Sequence, residues 1–287
     1  MIWLFFAILT AISNSLKGVF GKKCATNVDV YIVSWCLRFF GVIFLLPVLF
    51  FLEVPILGDN YWIALLIGGS LNTITTILFI KALKYSDLSI VSPIAAFTPL
   101  FLLVTSPLIT GEFPTLVGLI GVMLIIFGSY LLNIIEIKNG YLEPLRALFK
   151  ERGAKLMFIV AFIWSITSNI DKIGVQNSSP IFWVFSINAF IAIVLLPIAI
   201  LKFSGQRKKI SKNIHNLVLI GFLTTLTLVF QMIAISLALV IYVIAIKRTS
   251  AIFSVFWGHY IFKEKNMKNR LLGSIIMVIG VILIVFT

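Results

Sequence analysis

The sequence predicts an all-α membrane protein of ten transmembrane helices, arranged as two inverted five-helix repeats. Of its 287 residues, 61% are hydrophobic and only 11% are charged, whereas a soluble domain carries about 45–50% apolar and about 25% charged residues. The apolar residues also fall into ten segments that are each long enough to cross a bilayer, which takes about 20 residues. In addition, the first five segments match the last five.

The ten segments give the order of the predicted helices. We expect them near 1–20, 30–52, 61–81, 88–109, 115–135, 155–173, 180–202, 215–235, 238–261 and 269–286. The boundary between the eighth and ninth helices is the hardest to place, because 215–246 is almost continuously apolar. The two longer charged loops, 136–153 and 202–213, are too short to form a catalytic domain.

An internal repeat relates the two halves of the chain. At an offset of 152, Glu112, Gly121 and Gly128 fall on Glu264, Gly273 and Gly280; at an offset of 150, Ser15, Lys22 and Pro47 fall on Ser165, Lys172 and Pro197. We therefore expect repeats at 1–137 and 154–287, joined by the charged loop 138–153. An odd number of helices per repeat makes the second copy cross the membrane in the opposite sense, which is common among secondary transporters.

The motifs of the first repeat are similar to those of a known family. The segments "ALKYSDLSIVSPIAAFTPLFLLVTSPLITGE" and "GLIGVMLIIFGSYLL" resemble the EamA-type members of the drug/metabolite transporter superfamily, over essentially the whole chain. The markers of this resemblance are Ala82, Pro93, Pro99, Glu112, Gly121 and Gly128, with Ala234, Glu264, Gly273 and Gly280 in the second half. The resemblance implies a transporter in which Glu112 makes a structural contact at a helix end.

The ninth helix departs from the fourth and carries a second resemblance. Ala245 and Ala251 replace the two prolines of helix 4, so helix 9 need not bend as helix 4 does. Its sequence "YVIAIKRTSAIFSVF" is locally similar to the ninth helix of the sugar-phosphate translocators. In that branch a Lys-Arg pair contacts the substrate phosphate, which implies the same role for Lys247 and Arg248.

Basic residues are concentrated on one side of the predicted membrane topology. Eighteen of the 23 lysines and arginines lie in the loops after helices 1, 3, 5, 7 and 9, whereas the loops on the other side hold only Lys172. Cytoplasmic loops accumulate Lys and Arg. We therefore expect a protein of the cell membrane with both termini outside the cytoplasm, although many EamA-type relatives have both termini inside.

Lys247 and Arg248 stand side by side within a predicted span. Each charge costs roughly 2.5–3.5 kcal/mol at the centre of a membrane helix, and all ten acids of the chain lie in loops or at the ends of predicted helices. The missing partner is then an anionic solute. The alternatives are that the pair reaches the membrane interface, or that an acid from a loop reaches the pair.

Other polar residues within the spans are further candidates for substrate binding. Arg38 enters from the opposite face and lies ~12 Å deep, as Lys247 does, at 1.5 Å per residue; its alternative role is to bond helix-end carbonyls. Lys17 lies close to the predicted end of helix 1 and is expected to reach the cytoplasmic interface. Candidate side chains with amide or aromatic groups are Asn14, Asn72, Gln231, Trp164 and Tyr242, for which helix packing is the alternative.

The sequence thus predicts a permease that moves a small organic metabolite, anionic or carboxylate-bearing, across the cell membrane by alternating access. The alternative is an exporter of amino acids or neutral metabolites, followed by a channel or a membrane-embedded enzyme. No catalytic cluster or metal site is recognisable, so we expect no enzyme activity and no cofactor. The expected partners are a small-molecule substrate and lipid but no nucleic acid, and the expected state is a monomer, with a dimer as the alternative. A carboxylate proton relay is expected to be absent.

Overall fold

The computed structural model describes residues 2–86, 91, 94–134, 150–253 and 267–287, and only the backbone of residues 19, 132–134 and 267–271. Pro93 and Glu264, two markers of the family resemblance, lie outside these ranges. The described part contains ten α-helices of eight residues or more. They are α1 (Ile2–Asn27), α2 (Val30–Leu49), α3 (Tyr61–Tyr85), α4 (Thr98–Ile109), α5 (Leu116–Ile134), α6 (Arg152–Gln176), α7 (Pro180–Phe203), α8 (Arg207–Leu237), α9 (Val240–Lys247) and α10 (Met267–Val285).

Five stretches of the described chain are long and apolar enough to cross a membrane. They are α1, α2, α3, α6 and the continuous stretch Pro180–Leu237, which contains α7 and α8. The stretches Thr98–Ile109, Leu116–Leu131 and Leu272–Val285 are also apolar but shorter. The all-helical, multi-spanning part of the prediction therefore agrees with the structure, whereas the number of ten spans stays a prediction.

The first helix is longer than its apolar sequence suggested. It continues to Asn27, seven residues beyond the predicted end at residue 20, because lysine and alanine sustain a helix after the apolar stretch has ended. The next helix begins almost at once, where the side chain of Asp29 accepts a hydrogen bond of 2.9 Å from the Tyr31 amide. An acidic N-cap of this kind satisfies an amide that has no partner within the helix.

Helices of the first half pack mainly against helices of the second. The largest contacts join α1 to α8, α3 to α6, α2 to α7 and α5 to α10. The repeat makes α1 equivalent to α6 and α3 equivalent to α8, so exchanging the halves turns the first of these contacts into the second. The α2–α7 and α5–α10 contacts each join a helix to its own equivalent. This is the pattern expected of two halves related by a two-fold axis.

Glycines set the closest of these contacts, between α5 and α10. A Cβ atom on Gly121 would lie 2.7 Å from the carbonyl oxygen of Gly280, and one on Gly128 would lie 2.7 Å from that of Gly273. Only glycine allows two helix backbones to approach so closely. The later residue of α5 meets the earlier residue of α10, so these two equivalent helices run antiparallel.

The repeat also appears as a pair of helix interruptions. Ala96 and Phe97 form a turn before α4, and Arg248 and Thr249 form one after α9, at the offset of 152. The absence of the two prolines therefore does not keep helix 9 continuous. Helix 9 needs no proline, because the amides of Arg248 and Thr249 each donate to a carbonyl only three residues earlier, at 2.9 Å. The Thr249 hydroxyl also donates to the Ile246 carbonyl at 2.7 Å, and such local bonds compete with the α-helical pattern.

Candidate functional site

A cavity between α1, α3, α6 and the end of α9 is lined by three cations. Lys17 of α1 lines it together with Lys247 and Arg248, where α9 ends. Asn14 of α1, Phe79 of α3, and Met157 and Trp164 of α6 are also part of the wall. We call this space the first cavity. Its described lining contains no Asp or Glu, so the positive charges are not balanced by an acid in the same wall.

Lys247 and Arg248 both face the ring of Trp164. The Lys247 ammonium lies 6.0 Å from the ring centroid and the Arg248 guanidinium carbon 5.8 Å, which is within the range of cation–π attraction. Lys247 Nζ also donates to the side-chain oxygen of Gln231 at 2.6 Å. Arg248 is only 8% exposed, and its buried Nε atom has no hydrogen-bond partner. Arg248 therefore has an unused donor within the molecule.

Lys17 occupies a different place from the one its sequence position suggested. Its ammonium lies 5.6 Å from the centroid of the Phe79 ring, and its side chain lines the first cavity. The expectation that it reaches the membrane interface is wrong, because α1 ends at Asn27. Ten further residues of helix place Lys17 about 15 Å from that end, at 1.5 Å per residue.

Asn14 connects the two elements that supply the cations. Its amide nitrogen donates to the Ser250 hydroxyl at 3.1 Å, just beyond the interruption after α9. Both residues line the first cavity. Asn14 thus ties α1 to the segment that carries Lys247 and Arg248, and it adds a polar group to the same wall.

Arg38 and Asn72 lie apart from this site, in a second cavity. They line it together with Asp171 and Trp183, and the remaining described wall is apolar. Arg38 donates to the Thr76 hydroxyl at 2.7 Å and to the Asn188 side-chain oxygen at 3.2 Å. Arg38 and Asn188 are equivalent positions of the two repeats, so their bond joins the halves. Arg38 therefore lines a different cavity from Lys247, and a role for Arg38 in substrate binding stays a prediction.

Asp171 is an acid within the helical core that the sequence reading placed at a helix end. It is 6% exposed, and its Oδ1 accepts a hydrogen bond of 3.0 Å from the indole nitrogen of Trp183. The carboxylate also interacts electrostatically with Arg38 and Lys247. The statement that all acids lie in loops or at helix ends is wrong for Asp171, because α6 continues to Gln176, three residues past its predicted end. The reason for expecting no carboxylate proton relay therefore no longer holds.

Tyr242 belongs to a structural contact rather than to either cavity. Its hydroxyl accepts a hydrogen bond of 3.0 Å from the Thr115 amide, and a Cβ atom on Gly118 would lie 2.0 Å from that hydroxyl. Tyr242 therefore fastens α9 to the beginning of α5. The other aromatic candidate, Trp164, does line the first cavity.

The two cavities share α3 and α6 but lie at different depths along them. On α3, Phe79 lines the first cavity and Asn72 the second; on α6, Trp164 lines the first and Asp171 the second. Seven residues separate the members of each pair, or about 10 Å along a helix. The first cavity is the one nearer the end of α3 and the beginning of α6, where Lys84 and Arg152 lie.

An ion pair joins several helix ends at the opposite end of the bundle. Lys172 of α6 bonds Glu112, which follows α4, and also donates to the Ala238 carbonyl at 2.9 Å. The second carboxylate oxygen of Glu112 accepts from the Val240 amide at 2.8 Å, at the beginning of α9. Glu112 thus makes the helix-end contact that the family resemblance implied. In the related position of the first half, Lys22 donates to the Ser86 carbonyl at 2.6 Å.

An all-helical bundle of two interlocked repeats, with a charged cavity inside and apolar helices outside, defines a multi-pass membrane transporter. The EamA-like transporter family matches residues 1–134 and 151–286, and the chain belongs to this family, within the drug/metabolite transporter superfamily. As a member of a transporter family rather than an enzyme family, it is a membrane transporter of small molecules.

A solved structure has the same fold. It is described as "Crystal structure of protein", superimposes with a TM-score of 0.73 at 15% sequence identity, and the match covers 98% of this chain and 94% of that one. At this identity the likeness concerns the fold alone. No curated protein matches the sequence.

Two residues of the cavities, Lys17 and Asp171, were missed in the sequence. Lys17 and Asp171 were both placed near helix ends because spans were bounded by hydropathy. Helices that extend past the apolar stretch move both residues inward. The pairing of Arg38 with Asn188 across the repeat offset of 150 was visible in the alignment of the halves, but nothing in one sequence says that equivalent positions touch.

Proposed function

We propose that the protein is a secondary transporter that moves a small organic metabolite, anionic or carboxylate-bearing, across the cell membrane by alternating access. The observation that carries this proposal is the first cavity, where Lys17, Lys247 and Arg248 share a wall whose described residues include no acid. An anion in this cavity supplies the missing negative charge. Lys247 and Arg248 bind the anion directly. Gln231 and Trp164 hold these two cations in place, and Asn14 adds a polar group that orients the anion.

The repeat supports the transport mechanism. Transporters built from inverted repeats bind substrate near the middle of the membrane and rock one half against the other. The equivalent helices α5 and α10 run antiparallel, as expected if the ten spans form inverted repeats at 1–137 and 154–287. The first cavity lies nearer the end of the bundle where the basic loops lie, so we expect the substrate to enter it from that end.

The second candidate, a zwitterion or amino acid, is less well supported. An amino group needs an acid or several oxygen acceptors, whereas the described wall of the first cavity supplies three cations and no acid. Asp171 lies in the second cavity. A carboxylate or phosphate group needs no acid in the wall and therefore fits the first cavity better.

Binding to purified variants tests the proposal. A charge-assisted hydrogen bond contributes about 1.5–3 kcal/mol, so Lys247→Ala or Arg248→Ala should weaken anion affinity by roughly 10- to 150-fold, at 1.4 kcal/mol per decade. Titration calorimetry with sugar phosphates, carboxylates and amino acids measures this affinity. Lys209→Ala, which removes an exposed lysine at the beginning of α8, is the matched control and should bind as the unaltered protein does. Equal affinity in all four proteins would refute the anion site.

A further inference from the structure

The second cavity holds a carboxylate that the proposed anion site does not use. Asp171 is buried and accepts one hydrogen bond, from the Trp183 indole of α7. Among the described residues none donates a hydrogen bond to its second oxygen, and Asp171 and Trp183 line the second cavity with Asn72 and Arg38. A buried ionisable group inside a membrane protein is costly to keep and marks a functional pathway more often than a structural one.

Two cations, one in the wall of each cavity, lie close enough to attract this carboxylate. Arg38 of α2 shares the cavity with it, and Lys247 of α9 interacts with it electrostatically while lining the first cavity. From α7 the facing polar group is Trp183 and from α3 it is Asn72, whereas α8 contributes the apolar Leu228 and Met232. Lys247 is thus shared between Asp171 and whatever occupies the first cavity.

We infer that Asp171 is a proton-binding site, and that occupation of the first cavity by an anion is coupled to uptake of a proton there. This inference rests on the proposed function. With the first cavity empty, Lys247 and Arg38 balance the Asp171 carboxylate. An anion bound to Lys247 offsets the positive charge that Lys247 presented to Asp171. The Asp171 carboxylate then takes up one proton from hydronium in the aqueous solution, on its second oxygen, and becomes neutral.

The same geometry favours a proton over a metal cation. A hard cation requires a shell of several oxygen ligands, whereas the described side chains around the second cavity that bear oxygen are Asp171 and Asn72. The guanidinium of Arg38 in the same wall also repels a second cation. A proton needs only one carboxylate oxygen, and the Trp183 bond leaves one available.

The indole of Trp183 offers a direct readout, because its donated bond depends on the state of Asp171. We expect the tryptophan emission of the purified full-length protein to change in one step as pH is varied. The step should vanish in Asp171→Asn and Trp183→Phe. It should persist in Asp171→Glu, which keeps a carboxyl group, and in the control Glu53→Gln, which alters an exposed loop acid.

The coupling to Lys247 is tested without any ligand. Lys247→Gln removes a cation that favours the charged carboxylate, so the midpoint of the step should move to higher pH by about one unit, a tenfold change in proton affinity. Inorganic phosphate and acetate, as the two anion probes, should move the midpoint of the unaltered protein in the same direction if they bind.

The possible outcomes separate the two proposals. A step that survives in Asp171→Asn, or a midpoint that Lys247→Gln leaves in place, overturns the proton site. If Lys247→Gln moves the midpoint but calorimetry finds anion binding unchanged in Lys247→Ala and Arg248→Ala, the anion site is refuted and the proton site stands.

Discussion

At the scale of single residues, two arginines in the core have opposite surroundings. Arg38 donates from both terminal nitrogens, to Thr76 and Asn188, and thereby joins α2 to α3 and α7. The buried Nε of each arginine has no hydrogen-bond partner. Arg248, however, faces the ring of Trp164 and lines the first cavity. The first is bonded as a structural residue, whereas the second is held ready for a ligand.

This contrast predicts opposite effects on stability. Arg38→Ala should lower the free energy of unfolding by about 1.5–3 kcal/mol, because it removes charge-assisted hydrogen bonds and leaves their partners buried. Arg248→Ala should leave stability unchanged or raise it, because an unpaired charge within a membrane protein is itself destabilising. Thermal unfolding in one detergent compares the two variants. Equal losses of stability would contradict the assignment.

The shape of the Arg248 side chain matters as much as its charge. Arg248→Lys keeps the charge but not the planar fork that bonds a carboxylate or phosphate with two parallel bonds. We expect it to recover only part of the affinity that Arg248→Ala loses. Calorimetry with the tightest-binding anion measures this, and full recovery would mean that Arg248 acts only as a point charge.

At the scale of helices, the α5–α10 contact depends on the absence of side chains. Gly121→Ala would place its Cβ 2.7 Å from the Gly280 carbonyl oxygen, so the helices must separate, at a cost of about 1–3 kcal/mol. Gly205→Ala is the control, because a Cβ there meets nothing within 4 Å. Thermal unfolding should show a loss for the first variant only; a stable Gly121→Ala would contradict the packing.

The sequence predicted which helices exist better than it predicted where they end. Hydropathy locates the part of a helix that lipid or the core covers, but α1 and α6 continue into polar residues. The interruption after α9 was missed because it is made by backbone bonds and the Thr249 hydroxyl rather than by proline. Hydrogen bonds of this kind depend on the surrounding packing and leave no fixed pattern in one sequence.

At the scale of the whole molecule, the distribution of charge sets the orientation in the membrane. Eighteen basic residues on one side predict that this side is cytoplasmic. An alkaline-phosphatase fusion after Thr287 should therefore be active, and a fluorescent reporter that matures only in the cytoplasm should be dark there. The reverse pattern would contradict this topology and place the first cavity on the outer side.

The positive charge of the site could be predicted from the sequence, but the separation of its polar residues into two cavities could not. Lys247 and Arg248 could be recognised because two adjacent cations interrupt an apolar segment. Lys17 could not, because its depth depends on the true end of α1. Nor could the separation of Arg38, Asn72 and Asp171 into a second cavity be predicted, since it depends on which faces of six helices meet. That arrangement is a property of packing between the halves.

The most direct test of the account is anion counterflow into liposomes that contain the purified protein. Lys247→Ala, Arg248→Ala and the control Lys209→Ala are compared at equal protein content, with the anions that bind the unaltered protein. The account predicts that flux is nearly lost in the first two variants and unchanged in the control. Near-normal flux through both Lys247→Ala and Arg248→Ala would contradict it.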